Sequence, residues 1–238
     1  MNSPAQRQDE FVRRLQRVRG RIASAVARAN RRLEDVTLVA VSKTHPPDMI
    51  QTAMAAGLTD FGENRVQEAE DKVPQVGRHK ARWHLIGHLQ SNKARRAVEL
   101  FDVIHSLDSA ALARRLDRFC LELNRRELPV LIQVDLAHEA TKSGATESQL
   151  LEIVKVIKES SALQFAGLMV LPPFFEDVEQ VRPFFRRLRE VRDELRAQGA
   201  FGDREGELSM GMTHDYEIAI EEGATMLRIG TAIFGERK

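Results

Sequence analysis

Lys43 is where chemistry could begin in this chain. It closes the apolar run 37–42, and Pro46 and Pro47 follow almost at once. The run reads as a buried strand, and alternation places Val39, Val41 and Lys43 on one face. In folds of parallel strands and helices, the carboxyl ends of the strands are where ligands bind. A lysine held there can have a depressed pKa and condense with an aldehyde to a Schiff base. A lysine that merely ends a strand and snorkels to water satisfies the same pattern.

Four other groups of residues have spacing that invites chemistry. Segment 226–231, Met-Leu-Arg-Ile-Gly-Thr, ends a strand on Arg228 and Gly230 with the Thr231 hydroxyl beyond. Segment 208–212 repeats the theme, with Ser209 beside Gly211. Freed backbone N–H groups and a hydroxyl suit a phosphate, and the last two strands of a barrel frequently supply such a site. Turn glycines at barrel closure are the plainer reading of either loop alone. Glu63 and Asn64 follow the second strand and either orient a ligand or cap the next helix. His84 and His88 have a spacing that suits zinc only on a helix face. Here Leu85-Ile86-Gly87 reads as a strand end, so no metal site is expected, and His84 fits a barrel interior or the edge of a ligand ring. In segment 132–144, Asp135, Glu139 and Lys142 stand on a loop, where Lys142 either pairs with Glu139, contacts an anion or is simply solvated.

Short strands and helices alternate around these positions. Strands are expected at 37–42, 59–62, 83–87, 103–106, 129–136, 163–171, 207–210 and 226–230. Helices are expected at 47–56, 64–73, 91–100, 109–126, 146–159, 175–198 and 214–222. A long amphipathic helix over 5–33 precedes them, with Phe11, Leu15, Val18, Ile22, Val26, Ala29 and Leu33 on its apolar face. Such alternation implies a parallel sheet with right-handed crossovers, and eight strands close most simply as a (β/α)8 barrel. An open doubly wound sheet is the alternative, lowered by the absence of a Gly-x-Gly-x-x-Gly after the first strand and of a P-loop. No repeat or long linker divides the 238 residues, so one domain is expected over 1–238, the helix at 1–34 packing on a barrel at 35–238.

A net charge of +1 gives no overall field toward nucleic acid or membrane. The single cysteine, Cys120, rules out an internal disulfide framework and is compatible with a reducing cytoplasm. No stretch approaches the roughly 18 apolar residues of a membrane span, and the arginine-rich N-terminus lacks a secretory apolar segment. A cytoplasmic protein is expected.

Val41-Ser-Lys-Thr44, Phe61-Gly-Glu-Asn64, the run 84–93, Gly167-Leu-Met169, Leu208-Ser-Met-Gly-Met212 and the run 228–235 occur in this order along the chain. Together they resemble the pyridoxal phosphate homeostasis protein family. The resemblance implies an alanine-racemase-like barrel, of the fold type III class among pyridoxal-phosphate proteins, with pyridoxal 5′-phosphate bound covalently as an aldimine on Lys43. It implies a role in vitamin B6 homeostasis without an established reaction, so no catalytic residue is assigned. By motif, Ser209, Gly230 and Thr231 belong to the phosphate cup with Gly211 beside them. Arg228 faces the pyridine nitrogen, and Asn64, His84 and Met169 line the ring pocket. The chain departs from the family at Asp135, commonly Asn, at Thr213, commonly Ser, and at Arg65, often aromatic.

Three functions compete. The first is a carrier that stores or delivers the cofactor, with cofactor-requiring apo-enzymes as partners. The second is an amino-acid racemase with Lys43 and a second base. The third is a nucleic-acid module working through the arginines of the first helix. An arginine at the ring nitrogen keeps that nitrogen unprotonated and weakens the ring as an electron sink, which suits a carrier. The only tyrosine, Tyr216, lies on a helix, and the chain ends soon after Gly235, leaving no room for a racemase-type β-domain. A monomeric carrier is the favoured expectation.

Overall fold

The computed structural model describes residues 4–137 and 143–236. Eight parallel strands close in chain order: β1 (Thr37–Val41), β2 (Asp60–Glu63), β3 (Arg82–Leu85), β4 (Val103–Leu107), β5 (Leu128–Gln133), β6 (Leu163–Met169), β7 (Glu207–Ser209) and β8 (Met226–Ile229). The seam pairs Val39 with Arg228 and Ala40 with Ile229. This is the expected (β/α)8 barrel.

Strand alternation divides the apolar residues into two layers. Ala40, Phe61, Trp83, Leu85, Ile104, Ile132, Leu168, Leu208 and Leu227 face outward into one large core with the helices. Val103, Leu131, Met169 and Met226 form a small separate cluster inside the barrel. Several other inward positions are polar: His84, His105, Gln133, Ser209 and Arg228 are all buried. A barrel interior is ordinarily filled by branched aliphatic side chains, so this polar layer calls for a function.

The helices are α1 (Pro4–Arg28), α2 (Pro47–Ala55), α3 (Val66–Val76), α4 (Ala94–Leu100), α5 (Ala110–Glu122), α6 (Leu150–Glu159), α7 (Arg182–Ala197), α8 (Tyr216–Glu221) and α9 (Thr231–Phe234). Several bounds shift by a few residues, and three departures from the sequence expectation have a clear local reason. The first helix stops at Arg28 because Asn30 takes the left-handed conformation (φ 52°) and turns the chain back; Leu33 is consequently exposed rather than on the buried face. The helix expected over 175–198 begins at Arg182, with Pro183 in its first turn and a 3₁₀ turn before it capped by Asp177. The short α9 was not anticipated, since it lies between Gly230 and Gly235 in what reads as closing loop. Among the described residues no helix is long and apolar enough to cross a membrane.

Candidate functional site

The β1 strand ends at Val41, and Lys43 stands half-buried two residues beyond, at the carboxyl-end mouth of the barrel. The chain turns sharply there: the Ser42 N–H donates to the Gly62 carbonyl (3.0 Å) and the His45 N–H to the Ser42 carbonyl (3.0 Å). Thr44 has φ 66°, an uncommon conformation for a β-branched residue. Beneath the turn, Glu63 is fully buried and accepts from the Ser42 hydroxyl (2.7 Å) and from the Lys72 ammonium (3.0 and 3.1 Å). Burial pushes the Glu63 carboxyl up, against the opposing pull of Lys72 and Ser42.

Inside the barrel the polar residues form one continuous chain. The Arg228 guanidinium donates to the Ser209 hydroxyl (2.7 Å) and to the Val170 carbonyl (2.8 Å). Ser209 Oγ lies 2.8 Å from His105 Nδ1, His105 Nε2 lies 2.9 Å from His84 Nδ1, and His84 Nε2 lies 2.9 Å from Asp60 Oδ1. The two ends dictate every proton between them. Arginine can only donate and an ionised carboxylate can only accept. Ser209 therefore donates its own proton to His105 Nδ1. His105 must then carry its proton on Nε2 and donate to His84, which donates from Nε2 to Asp60. Both imidazoles are neutral in this scheme. Burial indeed lowers the pKa of His84, outweighing the pull of Asp60, and lowers that of His105 well below the usual value, with His84 and Arg228 adding to the effect. Burial would raise Asp60, but the hydrogen bonds from His84 and Thr59 outweigh it and hold the carboxylate low. Arg228 is pushed down to about 10 by burial, opposed by Asp215, so it remains charged at neutral pH.

The β7 and β8 loops meet beside this chain. Gly211 has φ 91°, and a Cβ there would lie 2.6 Å from that of Ala219, so only glycine fits. Asp215 accepts from the Met212 N–H (2.6 Å) and shapes the turn. The Thr213 hydroxyl sits 3.4 Å from the Ala232 N–H at the start of α9. The N–H groups of Ile233 and Phe234 both reach the Gly230 carbonyl. Those before them belong to the first turn, where a helix leaves its donors without intrahelical partners.

Residues 15–238 match the family model described as alanine racemase, N-terminal domain. A pyridoxal phosphate homeostasis protein of Aquifex aeolicus is 44% identical over 225 residues, spanning 94% of this chain and 97% of the relative. The protein of that name from Escherichia coli is 40% identical over 237 residues, spanning 96% and 97%. The chain belongs to the pyridoxal phosphate homeostasis protein family. A solved structure, PipY of Synechococcus elongatus with pyridoxal phosphate bound, superposes with a TM-score of 0.81 at 40% identity, covering 94% of this chain and all of PipY.

Within this homeostasis-protein barrel the residues singled out in the sequence fall into two groups. Lys43, Asn64, Gly211, Arg228, Gly230 and Thr231 all lie at or beyond the carboxyl ends of their strands or on the last turn of β8. Three others, Ser209, His84 and Met169, are fully buried inside the barrel. The Ser209 hydroxyl is fully buried and spent on Arg228 and His105, not turned to a phosphate cup, because alternation points Leu208 outward and Ser209 inward. His84 is also fully buried with both nitrogens engaged, so it acts through the chain and offers no free edge to a ring. Met169 ends β6 and packs in the inner apolar cluster, in register with Gln133 and Ser209. Glu63 and Asn64 do not cap α3, whose N-cap is Arg65 without a side-chain bond. Asn64 instead borders a cleft of about 630 Å³ shared with Arg65, Glu68, His88 and Lys93. His88 is exposed and paired with Asp108 (3.3 Å), apart from His84. Asp135 accepts from the Ala137 N–H. Glu139 and Lys142 lie outside the described residues.

Sequence reasoning missed His105, Asp60, Lys72 and Glu68. The signal for His105 was present: alternation in 103–106 puts it on the same face as Val103. Lys72 carried only a weak signal, a lysine at a buried position of an otherwise amphipathic helix.

Proposed function

We propose that this chain is a carrier of pyridoxal 5′-phosphate. It holds the cofactor at the carboxyl-end mouth of the barrel as a Schiff base with Lys43, and it delivers or buffers it for cofactor-requiring enzymes. The observation that carries the reading is the buried Arg228 at the head of the hydrogen-bonded chain. Two of the five N–H donors of its guanidinium are used by Ser209 and Val170, so it can take a further acceptor such as an unprotonated pyridine nitrogen. Lys43 supplies the amine: its nitrogen adds to the aldehyde carbon, the carbon–nitrogen double bond forms and the aldehyde oxygen leaves as water. Thr231, Thr213 and the first N–H groups of α9 supply donors suited to a phosphate. The bound group would bring an electron-accepting ring. A charged arginine facing that ring keeps its nitrogen unprotonated and favours holding over turnover.

The racemase reading needs a second base on the face opposite Lys43. The single tyrosine, Tyr216, is buried on α8 in the outer helical layer, under Arg21 of α1 (5.2 Å to the ring). The deciding experiment is absorbance of the purified protein loaded with pyridoxal phosphate, before and after borohydride, followed by peptide mapping. The pyridoxyl group is expected on the peptide containing Lys43 and is expected to vanish from it in Lys43→Ala. A label confined to other lysines of the wild-type protein would overturn the assignment.

A further inference from the structure

Lys72 has an unusual place for a lysine. It stands in the second turn of α3, is 8% exposed, and its ammonium is surrounded by acceptors from three segments of chain. It donates to the Ser42 carbonyl (2.9 Å), to both Glu63 carboxylate oxygens (3.0 and 3.1 Å) and to Glu68 Oε2 (3.2 Å). The same two carboxylates reach further. Glu63 also accepts from the Ser42 hydroxyl (2.7 Å), and Glu68 Oε2 also accepts from the Thr44 N–H (2.8 Å).

The residues held are Ser42, by its carbonyl and hydroxyl, and Thr44, by its amide. Lys43 lies between them. Glu68 thus helps to hold the left-handed conformation of Thr44 (φ 66°), which is costly for a β-branched residue. The mechanical result is that both peptide groups flanking Lys43 are fixed from the α3 side. A buried ion pair is poor value as a stabiliser, since well-packed apolar residues serve as well. Its use here is directional.

We propose that Lys72 is a positioning residue for Lys43, clamping the turn through Ser42, Glu63 and Glu68 so that the amine is ordered before the aldehyde arrives. This rests on the reading of Lys43 as the cofactor-bearing amine. Ordering in advance removes that cost from the condensation step, so the effect should appear only for ligands that react with the amine.

Two ligands separate positioning from general structure: pyridoxal 5′-phosphate, and pyridoxine 5′-phosphate, whose hydroxymethyl group cannot condense with an amine. Lys72→Met is expected to reduce the ratio of the two affinities at least tenfold, and to slow the rise of borohydride-reducible product by a similar factor. Its affinity for pyridoxine 5′-phosphate is expected to stay within about twofold of wild type. Lys72→Arg, which keeps charge and donors, should recover part of the ratio. Removing Lys72 leaves the Glu63 carboxylate buried without its cation, so Glu68→Ala supplies a test that keeps the buried pair. It removes the half-buried acceptor that the Thr44 N–H shares with the Lys72 ammonium, leaves Lys72 paired with Glu63, and should lower the ratio by about threefold. If the folded variants lose both ligands equally, or keep the wild-type ratio, the clamp does not position Lys43. If Lys72→Met does not fold, Glu68→Ala decides by the same criterion. A wild-type protein that shows no preference for the aldehyde and no label on Lys43 would instead overturn the carrier reading itself, and the clamp with it.

Discussion

Asp60 and Arg228 are the two charged ends of a single file of hydrogen bonds, four in number, that passes through Ser209, His105 and His84 across the inside of the barrel. Asp60 begins β2 at the amino-end rim, and Arg228 lies near the end of β8, toward the mouth. Because each intermediate group accepts once and donates once along the file, the guanidinium is held by a network anchored at the opposite rim. The packing of the barrel therefore sets the orientation of the arginine as firmly as its own strand does.

Removing a middle member should be costly. His105→Leu keeps approximate volume but leaves Ser209 without its acceptor and His84 Nδ1 without its donor. Each orphaned buried group costs about 1–3 kcal/mol. Urea unfolding of His105→Leu, His84→Leu and the double variant is expected to show strong non-additivity, with a coupling of about 0.5 kcal/mol or more. Additive losses would mean that the two imidazoles do not act as one file.

The same file predicts how stability varies with pH. His84 and His105 have depressed folded-state pKa values, so between those values and the ordinary value near 6.5 the unfolded chain binds more protons than the folded one. Stability then rises with pH across that window and falls as pH drops below about 6.5. Asp60 is also held low, so its contribution is present above its ordinary pKa of 3.8 and is lost as pH falls through the lower folded value. Urea midpoints measured from pH 4 to 8 should decline on the acid side. In a folded His84→Asn variant the slope between pH 5 and 6.5 should be shallower; an unchanged slope would place the titrating groups elsewhere.

Much of this architecture is legible in the sequence because it rests on alternation and punctuation. The runs at 37–42, 83–87, 103–106 and 226–230 are short apolar stretches buried almost throughout, as strands of a parallel barrel are, and the glycines and prolines between them mark the turns, so strand number and order followed. Where local pattern and tertiary contact disagree, the sequence is silent or misleading. Ser209 looks like a loop hydroxyl because Gly211 follows it, yet strand parity turns it inward to Arg228. Gly230 reads as a phosphate-approach glycine, but a Cβ there would sit 3.2 Å from the Val41 carbonyl and 3.3 Å from its Cβ, so close packing of β8 on β1 also demands it. The clamp of Lys72 on Ser42 joins residues thirty apart in sequence, and nothing local announces it.

That contact at Gly230 changes what a substitution there should do. Gly230→Val would press on Val41, two residues before Lys43, and is expected to weaken pyridoxal and pyridoxal 5′-phosphate alike while lowering the melting temperature. Thr231→Ala and Thr213→Ala are the cleaner probes of the phosphate cup. Each removes one hydroxyl from the loops around α9 and should cost about 1.5–3 kcal/mol of affinity for the phosphorylated ligand, the range for a hydrogen bond to a charged group. Unphosphorylated pyridoxal should bind the variants as it binds wild type. A parallel loss for both ligands would remove these hydroxyls from the cup.

Turnover is the sharpest test of the carrier reading. Racemisation needs an acid and a base on opposite faces of the substrate α-carbon. Lys43 can serve one face, while Tyr216 is packed in the outer layer on α8. Arg228 remains charged at neutral pH, its pKa pushed down only to about 10, so it disfavours the protonated ring nitrogen on which carbanion storage depends. Incubation of the loaded protein with L-alanine or L-serine in deuterated water is therefore expected to show at most slow exchange of the α-proton. The absorbance of the loaded protein is expected to shift slowly as the amino acid competes for the aldehyde. Exchange that depends on Lys43 and proceeds with kcat of order 1 s⁻¹ or faster, the range of ordinary enzymes, would reject the carrier and favour the racemase. Replacing Arg228 with glutamate would not rescue turnover in a carrier, because the glutamate would face Ser209 and Val170 with a buried negative charge and no second base would be gained.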